Sequence, residues 1–294
     1  MTEEPQIYII GKTRRVFSRG ILAKKLELLG FSITQGYEFS ILIYNLLQEQ
    51  GYKELTTKEL NEIVTSLLKE KISKEAARKF QLVEKWRDSN IPLWILIAGA
   101  IGVGKSTISR SIANDLGIQH VVGTDIIRDV MRKILSPEIV PELHVSSYLA
   151  HKTLRPIYSA RFDEVVIGFE NHAKYVNMGV EAVLSRAETE NVSIVIEGEH
   201  LLPSFFDDLT RKRKNVIYVT VAINDSDRHL ENLSLQYTKE KEELIAHFTA
   251  IRKIHDYLAN ETKLRKLNLI EVQEGIDPIL EMRKIVVNTI TKLL

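Results

Sequence analysis

A glycine-rich segment directly after an apolar run constrains the fold of this chain more than any other part of the sequence. Residues 93–98 are apolar, and the next residues, 99–106, fit the pattern G-x-x-x-x-G-K followed by Ser or Thr at every position, with Thr107 directly after it. Glycines let backbone N–H groups curl around a phosphate chain, and the dipole of a following helix favours the same negative charge. The pattern therefore predicts a strand, a phosphate-binding loop and a helix that together hold a nucleoside triphosphate.

Two side chains of this loop have expected chemical tasks. Lys105 supplies a mobile positive charge beside the β and γ phosphates, and the Ser106 hydroxyl is a ligand for Mg²⁺. ATP and Mg²⁺ are accordingly the expected cofactors. The residues that the pattern predicts to bind the nucleotide are Gly99, Gly102, Val103, Gly104, Lys105, Ser106 and Thr107.

Composition narrows the class of protein. The 294 residues suffice for one large domain or two modest ones with buried cores. A net charge of +1 argues against general attraction to nucleic acid or to an anionic membrane. The absence of cysteine excludes disulfides, thiolate catalysis and cysteine metal sites. No apolar stretch approaches the ~20 residues of a membrane span. The acidic N-terminus also lacks the plan of a signal peptide, so a cytoplasmic protein is expected.

The order of apolar runs predicts an α/β fold with a parallel sheet flanked by helices. Strands that alternate with helices form such sheets, and short β-branched runs are typical of buried strands. One long helical stretch is expected over 145–190, interrupted at Pro156. The predicted strands of this domain are 93–98, 118–122, 192–197, 215–223 and 267–272.

The beginning of the chain is predicted to form a separate, mostly helical unit. A short β-like run at 7–10 precedes a basic turn. Ser18 is expected to cap one helix, and Thr56 or Thr57 another, since 56–59 match a capping box. The predicted boundaries are 1–75 for this small unit, 76–91 for a linker helix and 92–294 for the phosphate-loop domain.

Two charged residues follow the second strand of the phosphate-loop domain, at the edge where parallel sheets bind ligands. Asp125 and Arg128 are spaced so that both lie on the first helical turn and face one direction. Asp125 could accept the proton of a substrate hydroxyl or touch the water shell of the metal. Arg128 could hold an anionic substrate with two hydrogen bonds. The alternative is a capping aspartate with an arginine on a solvated face, but the nearby phosphate loop favours the functional interpretation.

A carboxylate ends the strand predicted at 192–197. Glu197 stands where a metal-orienting acid belongs, and a carboxylate directly after four apolar residues is costly without a partner. The alternative is a charged strand end that faces solvent. Glu199 and His200 are weaker candidates, and His200 is interpreted as a polar loop residue rather than a base.

Lys152 and Arg155 lie where small-molecule kinases place their acceptor. The predicted helix puts both on one face, where they could hold a carboxylate or phosphate. Ordinary helical surface charge is an equal alternative.

Five segments of the chain carry a family resemblance, namely 98–107, 122–128, 147–148, 195–202 and 247–257. Together they resemble the 2-phosphoglycerate kinases, an archaeal-type family of phosphate-loop kinases, over nearly the whole chain. The resemblance implies Mg²⁺-dependent transfer of the ATP γ-phosphoryl group to the 3-hydroxyl of 2-phosphoglycerate. It implies that Lys105 stabilises the transferring charge and that Ser106 and Glu197 hold Mg²⁺ directly or through water. Asp125 and Arg128 would then serve the acceptor.

The predicted lid segment has fewer arginines than is usual in kinases of this type. Kinases of this type usually carry several arginines after the strand that ends near residue 223, whereas here Arg228 stands alone. Arg252 and Lys253 are the expected substitutes from the following helix. Two alternatives therefore stay open: a kinase for another small hydroxylated acceptor, and a nucleotide-sensing regulatory protein with weak hydrolysis.

The N-terminal unit resembles an ATP-cone, a small helical nucleotide-binding module, through Lys12, Arg14, Arg15 and 16–18. The family carries a cone-like segment in the same place. A regulatory ATP site and a plain docking or dimerisation module are equal alternatives for this unit. The expected partner of the whole chain is a small phosphorylated acceptor rather than nucleic acid or a membrane, and a homo-oligomer is left open.

Overall fold

A computed structural model describes residues 6–154, 163–236 and 241–294. The chain forms two compact units, and we name them by their place in the sequence. The terminal unit comprises Met1–Asn90 and Arg283–Leu294, and the central unit comprises Ile91–Met282. This division differs from the boundaries predicted at 75, 91 and 92, because the helix expected as a linker and the last residues of the chain both belong to the terminal unit.

The terminal unit combines a small sheet with helices. The strand order is β2-β1-β3, with β1 antiparallel to β2 and parallel to β3. Its elements before residue 91 are β1 (Tyr8–Ile10), β2 (Arg14–Val16), α1 (Arg19–Glu27), α2 (Ile33–Glu49), β3 (Glu54–Thr56), α3 (Thr57–Lys71) and α4 (Lys74–Asp88).

Local capping and apolar packing explain these elements. Ser18 Oγ accepts the Ile21 N–H at 3.3 Å at the start of α1, and Thr56 forms a capping box with Glu59 at the start of α3. Both caps agree with the sequence prediction.

Helix α4 joins the terminal unit because its apolar face is part of that unit's core. Ala77 and Phe80 are buried in one cluster with residues of β1, α1, α2 and α3. Lys25 of α1 also pairs with Glu84 of α4. Arg283 Nη2 lies 3.0 Å from Glu27 Oε2, which ties the last residues of the chain to α1.

The central unit alternates strands with helices. Two 3-10 helices, Pro141–His144 and Ser147–Thr153, precede its longest helix. Its other elements are β4 (Trp94–Ala98), α5 (Lys105–Leu116), β5 (His120–Gly123), α6 (Thr124–Ile134), α7 (Glu164–Glu190), β6 (Ile194–Gly198), α8 (Pro203–Lys212), β7 (Val216–Ala222), α9 (Ser226–Gln236), α10 (Lys241–Ala246), α11 (Phe248–Leu264) and β8 (Asn268–Glu271); α12 (Pro278–Leu293) begins here and continues into residues of the terminal unit.

The five strands of the central unit form one parallel sheet in the order β5-β6-β4-β7-β8. Every residue of β4 and β7 is buried, as expected of strands that read as continuous apolar runs. In register, Ala98 at the end of β4 lies beside Gly198 of β6 and Thr220 of β7. The predicted α/β fold with a parallel sheet flanked by helices is therefore confirmed.

The segment before α7 differs from the long helix predicted over 145–190. The chain forms the 3-10 helix Ser147–Thr153, and α7 begins at Glu164 with Asp163 as its cap. Pro156, the predicted interruption, lies outside the described residues. Within the described ranges, no helix combines the length and the apolar character that crossing a bilayer requires.

Candidate active site

The loop between β4 and α5 has the backbone geometry of a phosphate cradle. Gly104 stands at the N-cap of α5 with φ of +91°, a conformation that residues with a Cβ rarely adopt. At Gly99, an added Cβ would lie 2.5 Å from the Val221 carbonyl oxygen of β7. Glycine is thus required at both ends of the loop, once for conformation and once for space.

Lys105 lies back across this loop. Its Nζ donates to the Ala100 carbonyl oxygen at 2.8 Å. This contact holds the ammonium beside the loop backbone, where a phosphate-binding lysine is needed.

Ser106 and Glu197, the two predicted metal residues, meet at the mouth of the loop. Ser106 Oγ donates to Glu197 Oε1 at 2.9 Å, which joins the first turn of α5 to the end of β6. Hydroxyl and carboxylate oxygens suit Mg²⁺, which is usually bound by one or two protein groups together with water and phosphate oxygens. The described part of the chain holds no cluster of three or more His, Cys, Asp or Glu suited to a metal. A metal here would therefore rest on this pair and on the nucleotide.

Asp125 and Arg128 lie on the first turns of α6, with Asp125 exposed and Arg128 half-buried. Arg128 donates from Nε to the Leu143 carbonyl at 3.1 Å and from Nη2 to the Val145 carbonyl at 2.6 Å. Burial lowers the pKa of the guanidinium, and the positive charge of Arg132 lowers it further. Arg128 therefore ties the 3-10 segment to α6, a task that the sequence did not indicate.

Two other predicted acceptor residues lie on different elements from this pair. Lys152 is exposed on the 3-10 helix, and Arg228 is half-buried on the first turn of α9. Arg155 lies outside the described residues.

The two expected lid substitutes are engaged with protein groups. Arg252 donates to the Ile223 carbonyl at 2.7 Å and to the Asn224 carbonyl at 3.1 Å. Lys253 Nζ lies 2.8 Å from Asp163 Oδ2. In this conformation Arg252 supports the end of β7, and Lys253 pairs with the cap of α7.

Glu199, a weaker candidate by sequence, is buried in the turn after β6. Ser147 Oγ donates to its Oε1 at 2.5 Å. Burial raises the pKa of the Glu199 carboxyl to about 7, and the negative charge of Asp125 raises it further. This carboxyl therefore joins the 3-10 segment to the strand end that carries Glu197.

His200 is also buried, with 1% of its surface exposed, and not the polar loop residue that the sequence suggested. Its Nδ1 lies 2.8 Å from Thr124 Oγ1, and its Nε2 lies 3.1 Å from His172 Nε2. Burial lowers the pKa of His200 to about 3 and that of His172 to about 2. The sequence signal that was available is the place of His172 on the buried face of α7, between Phe169 and Val176.

A further buried histidine contacts the phosphate loop from α9. His229 Nε2 lies 2.7 Å from the Ile101 carbonyl oxygen, and burial lowers the pKa of this ring to about 4. Because a carbonyl only accepts, Nε2 carries the proton and donates it. Sequence reasoning missed this residue, since its partner lies 128 residues away.

Comparison with known proteins finds relatives over most of the chain. No family model matches the sequence. The 2-phosphoglycerate kinase of Methanothermobacter thermautotrophicus is 38% identical over 273 residues, which cover 90% of this chain and 89% of the relative. The 2-phosphoglycerate kinase of Methanopyrus kandleri is 34% identical over 287 residues, covering 92% and 87%. Among solved structures, a gluconokinase from Sinorhizobium meliloti is 13% identical with a TM-score of 0.40, covering 69% of this chain and 94% of that one.

Proposed function

This chain belongs to the 2-phosphoglycerate kinase family, and from that premise we propose that it phosphorylates 2-phosphoglycerate with ATP to give 2,3-diphosphoglycerate. The observation that carries the proposal is the Ser106–Glu197 contact at the mouth of a glycine-rich phosphate loop. This pair offers the metal-binding oxygens that phosphoryl transfer needs, beside Lys105. A small phosphorylated acceptor is the proposed partner, and dependence on ATP would place the enzyme in the cytoplasm.

The nucleotide side of the proposed reaction rests on the loop residues. The backbone N–H groups of 99–107 bind the phosphates, and Lys105 stabilises negative charge on the migrating phosphoryl group. Ser106 and Glu197 would hold Mg²⁺, which would supply positive charge to offset the negative charge of the phosphates.

The acceptor side rests on α6. The 3-hydroxyl of 2-phosphoglycerate attacks the γ-phosphorus, the bond to the ADP oxygen breaks, and the Asp125 carboxylate takes up the hydroxyl proton. Arg128 binds the anionic acceptor with the donors that its two carbonyl contacts leave over, because a guanidinium has five N–H groups. Lys152, Arg155 and Arg228 are proposed to add positive charge around the acceptor.

The test is ADP release from Mg·ATP with and without 2-phosphoglycerate, for the wild type and Lys105→Ala. Lys214→Ala is a matched control, because Lys214 is exposed two residues before β7, at the sheet edge opposite the loop. We expect acceptor-dependent release that falls at least about 100-fold in Lys105→Ala and stays unchanged in the control. Wild-type protein that binds ATP but shows no acceptor-dependent release would refute the proposed substrate. Turnover with another hydroxylated acceptor would favour a kinase with a different substrate. No turnover with any acceptor would favour a nucleotide-sensing regulatory protein.

We further propose that the terminal unit binds a regulatory nucleotide. A cavity of about 880 Å³ lies within this unit, a size typical of small-molecule sites. Basic side chains line it together with threonine hydroxyls, a donor set suited to phosphates; the basic residues are Lys12, Arg15, Lys58, Lys85 and Arg87. Three carboxylates also line the cavity, namely Glu62, Glu84 and Asp88.

Calorimetry with a non-hydrolysable ATP analogue tests this second proposal. We expect two nucleotides per wild-type chain, one per Lys12→Ala/Arg15→Ala chain, and a changed ATP saturation curve in that variant. Lys53→Ala, an exposed lysine outside the cavity lining, is the control. One nucleotide per wild-type chain would refute the regulatory site. Loss of self-association in the variant by ultracentrifugation would then assign the unit to docking or dimerisation.

A further inference from the structure

Two buried histidines connect α6, which carries Asp125 and Arg128, to the first 3-10 helix. His200 in the turn after β6 contacts Thr124 at the start of α6, and His172 of α7 contacts His200. The other nitrogen of His172, Nδ1, lies 2.8 Å from the Glu142 carbonyl oxygen of the first 3-10 helix. The two ring planes lie within 8° of each other and their centroids are 5.0 Å apart, as expected for imidazoles that meet through their nitrogen edges. Both histidines therefore use both ring nitrogens, and the chain of contacts runs from α6 to the 3-10 segment.

The direction of each hydrogen bond in this chain follows from its last member. A carbonyl oxygen only accepts, so His172 Nδ1 carries a proton and donates to Glu142. In a neutral ring the other nitrogen, His172 Nε2, then accepts, so His200 Nε2 must donate to it. His200 Nδ1 is consequently an acceptor, and the Thr124 hydroxyl donates to it. Burial keeps both rings neutral, in agreement with their lowered pKa values.

The two ends of this hydrogen-bond chain lie next to the residues that are proposed to bind the substrate acceptor. Thr124 immediately precedes Asp125, and Glu142 immediately precedes Leu143, whose carbonyl accepts from Arg128. The contact at Thr124 holds the start of α6 in place. The contact at the Glu142 carbonyl holds the neighbouring backbone, to which Arg128 donates its hydrogen bonds.

We propose that His172 and His200 are positioning residues. Through the hydrogen-bond chain Thr124–His200–His172–Glu142 they hold Asp125, at the start of α6, and the backbone carbonyl partners of Arg128 in place. The inference rests on the proposed acceptor roles of Asp125 and Arg128. Neither histidine touches the reacting atoms; they act through the residues that they orient. A chain with one allowed direction of donation restricts the side chains more than apolar packing would, because a rotated hydroxyl or a flipped ring leaves a buried group unpaired.

A double-mutant cycle tests the chain through two residues that both contact His200. Thr124→Val removes the hydroxyl at nearly constant shape, and His172→Asn keeps a donor near the position of Nδ1 while losing the acceptor. We expect each change to raise the KM for 2-phosphoglycerate about tenfold, with the KM for ATP nearly unchanged. The double variant should also show about tenfold, because either change alone already breaks the chain.

Two further variants separate positioning from loss of a buried hydrogen bond in general. Thr124→Ser restores the donor and should return the acceptor KM to within about twofold of the wild type. Thr262→Val removes a comparable buried hydroxyl on α11, which is hydrogen-bonded to Thr220 of β7 at 2.6 Å. This change should leave the KM for 2-phosphoglycerate unchanged. Additive effects in the cycle, or equal effects of Thr262→Val, would overturn the proposal.

Nitrogen NMR of the wild type tests the same chain without a variant. We expect His172 to be protonated on Nδ1 and His200 on Nε2, both neutral at pH 7; the opposite tautomer at His200 would overturn the inference. Wild-type protein with no acceptor-dependent turnover would instead refute the proposed function, so the two failures are distinct.

Discussion

Gly198, the last residue of β6, is the position where a single methyl group should disturb the acceptor side most. A Cβ added there would lie 1.7 Å from Thr124 Oγ1 and 2.7 Å from Thr124 Cβ. Ordinary van der Waals contact begins near 3.4 Å, so Gly198→Ala requires the Thr124 hydroxyl to retreat by 3.4 − 1.7, about 1.7 Å, and Thr124 Cβ by 3.4 − 2.7, about 0.7 Å. Because Thr124 opens α6, the retreat displaces Asp125, the next residue.

The size of the effect follows from that displacement. Misplacing a catalytic group by about 1 Å can cost about 100-fold in rate, so we expect at least this loss in kcat/KM for 2-phosphoglycerate. Overpacking a well-packed core typically costs about 1–3 kcal/mol of stability, which a single domain tolerates. Binding of an ATP analogue should be affected less, since the phosphate loop follows β4 rather than β6.

Steady-state kinetics at saturating ATP, with thermal unfolding and ATP-analogue binding, measure these three quantities. Gly117→Ala is the control: its φ of +71° imposes backbone strain, but an added Cβ there meets nothing within 4 Å. A folded Gly198→Ala protein that keeps its kcat/KM within about threefold would refute the steric reasoning.

Three further predictions concern the metal, the loop and pH. Glu197→Gln keeps the shape but not the charge, and should raise the Mg²⁺ concentration for half-maximal activity about tenfold in a titration. His229→Phe should weaken ATP-analogue binding about tenfold by calorimetry, and His229→Gln, which retains a donor, less. Below pH 6.5, the ordinary pKa of histidine, His172 and His200 are neutral in the folded protein but protonated in the unfolded protein. The free energy of unfolding therefore falls as the pH falls. The two rings contribute about 3 kcal/mol per pH unit near pH 5, and His172→Asn should halve this slope in urea unfolding. A slope unchanged by that variant would contradict the neutral assignment.

The three inner strands of the sheet, β4, β6 and β7, were predictable because they are almost entirely buried on both faces. Such strands appear in sequence as uninterrupted apolar runs, and β4, β6 and β7 lie within one or two residues of the predicted ranges. The segment before α7 was not predictable in this way. Its 3-10 conformation is stabilised by Arg128 and by Glu199, which are distant in sequence and give no local periodicity.

The site was predictable where one motif positions neighbouring groups. The loop pattern and the carboxylate at the end of β6 sufficed to predict that Ser106 and Glu197 would lie near each other. His172 was missed and His200 was taken for a polar loop residue, because their contact joins residues that are 28 positions apart in the sequence. Only the packing of α7 against the turn after β6 brings them together.

The composition of the terminal unit from Met1–Asn90 and Arg283–Leu294 has a consequence for synthesis on the ribosome. The central unit is continuous in sequence and can fold as soon as it has emerged. The terminal unit begins first but must wait about 190 residues for its remaining helix. Val286, Val287 and Ile290 of that helix are buried in the folded chain. We therefore expect the central unit of a nascent chain to fold before the terminal unit. Chains that stop short of residue 283 should keep an incompletely folded, protease-sensitive terminal unit.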